Sequence, residues 1–151
     1  MTPSADHLAS QIQETVTSLS EMERQLRTTQ AEVSGLGFFA RGFVEKDIKG
    51  NTGRSFGDWI TATERLRAAL SAAQQGKPSE ALRVIADELP RIASLRQYLQ
   101  RAPQKINIVP AAVLKPQQRA DFLQHVSAQE QSLQELETKL QAISSALSQT
   151  R

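Results

Sequence analysis

Two stripes of apolar residues, one near each end of the chain, constrain this sequence more than any other feature. Near the start, Leu8, Ile12, Thr15, Leu19, Met22, Leu26, Thr29 and Val33 step by four and three in alternation. Near the end, Phe122, Val126, Gln129, Leu133, Leu136, Leu140, Ile143 and Leu147 do the same. That period puts each set on one face of an α-helix, in the a/d pattern of a coiled coil. It predicts long helices over 6–33 and 116–149, and at 1.5 Å per residue the first spans roughly 42 Å. Ser4 or Asp6 can cap the first helix, because a short side-chain oxygen accepts a free amide hydrogen there. Gly35 and Gly37 stop it. Pro116 suits the first turn of the last helix, where a missing amide hydrogen does no harm, and Glu135 and Lys139 stand four apart as a surface pair.

Apolar area exposed to water costs about 25 cal/mol per Å², so neither stripe can stay wet. The simplest cover for each is the other, as an antiparallel pair within one chain. The alternative is a homodimer through the same seams. Thr15, Thr29 and Gln129 interrupt the seams with polar groups, which can set register at some cost in stability.

Between the seams the elements are shorter. Ser55 or Asp58 caps a helix running to Gln75, with Phe56, Trp59, Ile60, Leu66, Leu70 and Ala73 as its apolar positions. After a turn at Gly76, Pro78 opens a second helix with Leu82, Ile85, Ala86, Leu89, Ile92, Leu95 and Leu99 on its apolar face. Pro90 should kink or split it. The expected organisation is a single helical domain over 1–151. It comprises a helix at 6–33, a Gly/Phe-rich and basic loop at 34–54, a short αα-hairpin at 55–101, an extended connector at 102–115 and a helix at 116–149. The fold class is all-α: an elongated bundle of four or five helices, its terminal helices paired antiparallel and its hairpin packed at one end. In the connector, Ile106 and Ile108 alternate with polar residues between Pro103 and Pro110, which reads as a strap or a short edge strand.

Composition narrows the function classes. The chain has 151 residues, which suits one domain, and a formal net charge of only +2, so no whole-molecule field demands nucleic acid. With no cysteine, disulfides and thiolate chemistry are excluded. The first residues carry neither a basic nor an apolar signal segment, and no apolar run approaches the length of a membrane span, so a cytoplasmic location is expected. His7 and His125 lie far apart in the chain, and no His/Asp/Glu set has metal-ligand spacing. Asp87-Glu88 and Glu135-Glu137 read as solvated faces. No catalytic residue, metal site or cofactor is assigned, and an enzyme is not expected.

Three segments could carry function. Gly35 to Val44 holds three of the five phenylalanines, Phe38, Phe39 and Phe43, in a glycine-rich stretch with Arg41. Buried rings, the reading with more weight, would plug the end of the bundle. Exposed rings would form a contact patch for a protein groove or a membrane interface. Next come Lys46, Lys49 and Arg54 around Gly50-Asn51-Thr52-Gly53. That tetrad resembles the GXXG loop of a KH domain, which clamps a nucleic-acid backbone, although that fold needs three strands and the flanks here read as helical. Gly76 and Ala81 resemble the inter-helix turn of a tetratricopeptide repeat, but its other positions do not match and no second copy follows. Last, 89–120 contains no acid, while Arg91, Arg96, Arg101, Lys105, Lys115 and Arg119 leave the rest of the chain net acidic. At 100° per residue, arginines five apart form no single stripe. Pairing with acidic faces of the same chain, such as those of Glu14, Glu21 and Glu135, outweighs an anionic partner.

The sequence therefore favours a non-catalytic helical protein-protein interaction module, an adaptor, chaperone-like, regulatory or structural subunit. Its partner-binding candidates are Phe38, Phe39, Phe43 and Arg41. The alternative is a nucleic-acid or anionic-surface binder using Lys46, Lys49, Arg54, Arg91, Arg96 and Arg101.

Overall fold

The structure is a computed structural model and describes residues 3–149. Five helices follow one another: α1 (Pro3–Ser34), α2 (Phe38–Thr52), α3 (Phe56–Gln74), α4 (Pro78–Ile108) and α5 (Pro116–Gln149). There is no strand among the described residues. The all-α bundle expected from the two stripes is what forms.

Helices α1, α3, α4 and α5 close a ring in which each packs on two neighbours, with α1 facing α4 and α3 facing α5 across the core. Cross-helix bonds show the directions. Ser18, Gln25 and Glu32 of α1 meet Lys139, Ser132 and His125 of α5 at 2.7, 3.2 and 2.8 Å. One number rises as the other falls, so the terminal helices run antiparallel. The seams supply the core. Ile12, Leu19, Met22, Leu26 and Val33 are buried on α1, as are all eight stripe positions of α5. Every seam leucine but the half-buried Leu8 is buried within one chain, so burying the stripes requires no second copy.

Several expectations need correction. The hairpin α3–α4 does not sit at one end but lies alongside the terminal helices, supplying half of the ring. Helix α4 passes through both Pro90 and Pro103 to Ile108, so neither a split nor a strand forms there. The proline cost is met by burial around Pro90 and before Pro103: Ile85, Ile92, Leu95, Leu99 and Ala102 are all buried. Arg119 of α5 donates to the carbonyls of Ile106 and Val109 and so closes the end of α4. The apolar face of α4 is also rotated from the one expected. Ala86 is exposed, and the buried row runs through Ala81, Ile85, Glu88, Ile92, Leu95, Leu99 and Ala102. The Ser4 cap lies outside the described side chains, and Asp6 sits in the first turn rather than at the cap. Lys139 reaches Ser18 on α1 in place of Glu135.

The largest correction is α2, which was expected as a loop. Ala40, Val44, Asp47 and Ile48 share one face, and Asp47 accepts from Tyr98 at 2.8 Å and from Lys105 at 3.0 Å, both on α4. These tertiary contacts outweigh the helix-breaking tendency of Gly42 and Gly50, each worth roughly 1 kcal/mol. The tetrad that resembled a nucleic-acid loop is the end of this helix. Gly53 stands at φ 81°, a left-handed cap that glycine adopts without strain, and its amide donates to the Lys49 carbonyl.

Candidate apolar binding site

Helix lengths create the site. α1, α4 and α5 have 32, 31 and 34 residues, but α3 has only 19. At 1.5 Å per residue α3 stops roughly 18 Å short of α4. Over that distance the ring lacks its fourth wall, and the 15-residue α2 lies in the gap. It fills the gap incompletely. An apolar cavity of about 420 Å³ remains between α2, the ends of α1 and α4, the 109–114 connector and the start of α5. Phe56 is the one α3 residue that reaches it. Leu26 and Val33, Leu95 and Leu99, and Phe122 and Val126 form its walls.

The phenylalanines stand at this end and are not plugged into it. Phe38, Phe39 and Phe43 are 75%, 87% and 65% exposed, which overturns the buried reading. Ile108 at 81% and Val113 at 48% are exposed at the same end, beside the connector. Phe39, Phe43 and Val113 border the cavity mouth. Phe38 and Phe39 meet edge to face with centroids 5.5 Å apart, and the Arg41 guanidinium lies 5.9 Å from the Phe38 ring.

Polar groups in the lining are few. Tyr98 and Lys105 are both engaged by Asp47. Burial pushes the Tyr98 hydroxyl well above its ordinary range, with the Asp47 hydrogen bond adding to the effect, so it stays protonated and donates. Gln129 differs. It is 2% exposed, lines the cavity, and its Nε2 has no hydrogen-bond acceptor. The sequence marked Gln129 only as a register-setting break in the seam.

The anion-binding candidates are scattered, and most are spent inside the chain. Arg54 forms a bidentate pair with Glu88, Nη1–Oε2 at 2.8 Å and Nη2–Oε1 at 2.6 Å, and its guanidinium lies 4.8 Å from the Trp59 ring. Glu88, expected in a solvated run, is fully buried. Arg65 approaches it at 3.5 Å while pairing with Asp87 at 2.7 Å. Trp59 Nε1 donates to Thr52 Oγ1 at 3.0 Å, so this network fastens the α2–α3 junction onto α4. Arg91 lies 3.9 Å from Asp87, Arg96 pairs with Glu137, and Lys105 pairs with Asp47. The pairing is intrachain as weighed, but through different acids: Glu21 pairs with Arg24 instead. Lys46, Lys49 and Arg101 are exposed and unpaired among the described residues. His125 bridges to Glu32, and His7 is exposed.

Comparison with known proteins yields no match: no family model fits the chain, and neither a curated protein nor a solved structure is detectably similar to it. No helix of the described residues is long and apolar enough to cross a membrane. Among those residues, no three His, Cys, Asp or Glu stand close enough to hold a metal ion. The chemistry of the apolar end therefore carries the functional reading by itself.

The apolar residues of 108–114 were missed as site residues. Their signal was present: Ile108, Val109, Val113 and Leu114 are unusually apolar for a proline-bounded connector.

Proposed function

We propose that this chain is a non-catalytic interaction module that receives a protein partner on the apolar end of its bundle. The observation that carries this reading is the exposure of Phe38, Phe39, Phe43, Ile108 and Val113 at one end, around a cavity. Exposed apolar side chains scattered singly are ordinary, but large ones gathered at one place mark contact surfaces. Aromatic rings supply large contact area at small entropic cost, and Arg41 beside Phe38 adds a residue type enriched at binding hot spots. The nucleic-acid alternative loses support, because Arg54, Arg91 and Arg96 already face carboxylates of the chain.

The test places a photo-crosslinking amino acid at position 39 and, in a control, at exposed position 68 on α3. Crosslinking in the native host is expected to give one discrete adduct from position 39 and none from 68. The Phe39→Glu substitution should abolish association with that adduct's protein while helicity stays unchanged. Equal crosslinking from both positions would defeat the proposal.

A further inference from the structure

We infer that the partner segment received at the apolar end is an acidic amphipathic helix. This rests on the reading of that end as a protein-docking surface and adds the chemistry of what docks there. Apolar space admits many occupants, and two further features select among them. The first is charge. The stretches that supply most of the lining, 36–49 and 98–119, hold seven lysines and arginines against two acids, while the rest of the chain is net acidic. Every described arginine outside these stretches faces a carboxylate of the chain. Within them the pattern reverses: Arg41, Lys46, Lys49, Arg101 and Lys115 have no carboxylate partner among the described residues. Nearby acids are already engaged, Asp47 by Lys105, Glu32 by His125 and Asp121 by Gln117, which leaves Glu45. Arg41 lies beside the Phe38 ring, Lys46 stands one turn beyond Phe43, and Lys115 follows Leu114 of the lining. Free positive charge therefore borders the apolar contact area and attracts an acidic partner.

The second feature is the occupant's backbone. A segment pressed onto this end loses water from its main chain, and each amide and carbonyl so buried needs a partner. Tyr98 and Lys105 of the lining are already held by Asp47, and no strand edge exists among the described residues to pair with an extended segment. A helix meets its own backbone bonds and lays apolar side chains three and four apart into a groove. The shortfall of α3, roughly 18 Å, accommodates about three turns of it. Its anchors enter the recess between Phe39, Phe43 and Val113, and its flanking acids reach the cations. A second copy of this chain would set those cations against their own duplicates. An anionic bilayer shares the charge but offers a plane rather than anchors for the recess.

The test selects a displayed library of random peptides, each about 16 residues long and so able to span three helical turns, on the full chain. Phe39→Ala, which removes a ring without adding charge, is the counter-target. Enriched peptides are expected to carry large apolar residues at spacings of three and four and an excess of Asp and Glu. The best of them, labelled and followed by fluorescence anisotropy, should bind at least about tenfold more weakly to Lys46→Glu combined with Lys115→Glu. Both lysines are exposed, so circular dichroism should be unchanged; should that pair disturb the fold, Lys46→Gln with Lys49→Gln replaces it. Raising NaCl from about 50 to 300 mM should weaken the complex several-fold. Enrichment without an acidic excess, no enrichment over the counter-target, or equal affinity for the charge-reversed variant would overturn the inference. Tighter binding to phosphatidylserine vesicles than to any selected peptide would overturn it in favour of a membrane. In each of these cases a discrete adduct from position 39 would keep the partner reading standing, and only loss of that adduct would defeat it.

Discussion

Glu88 is the residue whose environment the primary structure hides best. It sits on the 4/3 row of α4 between Ile85 and Ile92, where an apolar residue is expected, and its charge made the Asp87-Glu88 pair read as surface. A buried carboxylate is tolerable only with a matched cation, and Arg54 provides one bidentately from the α2–α3 junction. Removing one partner of such a pair strands the other. Arg54→Ala is therefore expected to destabilise the chain by about 3–5 kcal/mol, read as a lower urea midpoint. Replacing both Arg54 and Glu88 by methionine should recover most of that loss, because two apolar side chains leave no stranded charge. At Leu133, fully buried in the last helix, the change to alanine should cost about 2–5 kcal/mol in the same assay.

Among the elements, the start of α3 was legible up to the choice between Ser55 and Asp58 as its cap, which the structure settles for Ser55. Ser55 accepts from the Asp58 amide at 3.2 Å, and the Asp58 carboxylate accepts from the Ser55 amide at 3.1 Å, a reciprocal capping box. Ser55→Ala should lower stability by about 1 kcal/mol in urea denaturation. The Ser55 backbone hydrogen bond holds the Asp58 carboxyl below its ordinary range. Its contribution is thus complete above the unfolded carboxylate pKa, about 4, and is lost as acidification protonates the folded group. Thermal melts should show the gap between parent and Asp58→Asn at pH 7 narrowing as the pH falls below about 4. Helix α2 was not legible. Five glycines between residues 35 and 53 argued for a loop, and the contacts that make it a helix lie on α4, more than 50 positions away in the chain.

The whole molecule is a ring of three long helices and one short one, with α2 laid across the shortfall. Because the stripes are covered within one chain, light scattering is expected to give the mass of a single 16.7 kDa chain. A stable dimer mass would overturn the single-chain reading of the seams. The exposed phenylalanines should be dispensable for folding. Phe39→Glu is expected to change stability by no more than about 0.5 kcal/mol, as for other surface changes, with full helicity by circular dichroism. Unfolding by that substitution would show the ring to be part of the core. The same placement explains why burial had seemed the better reading. Large rings are usually inside, and nothing local in Gly35–Val44 reveals that α3, which starts at Phe56, is too short to cover them.

Helical class, the two seams, the capped start of α3 and the proline start of α5 were determined by the sequence alone. Each follows from short-range spacing: a 3.6-residue period, a side chain three residues from an amide, a ring that fixes φ. Tertiary structure alone decided that α2 is a helix, that Glu88 is buried, that the phenylalanines face water and that Gln129 lines an apolar cavity. Those outcomes depend on which surfaces meet across the ring and on one helix being shorter than its neighbours. Burial and pairing are properties of such long-range contacts, and neighbours along the chain do not record them.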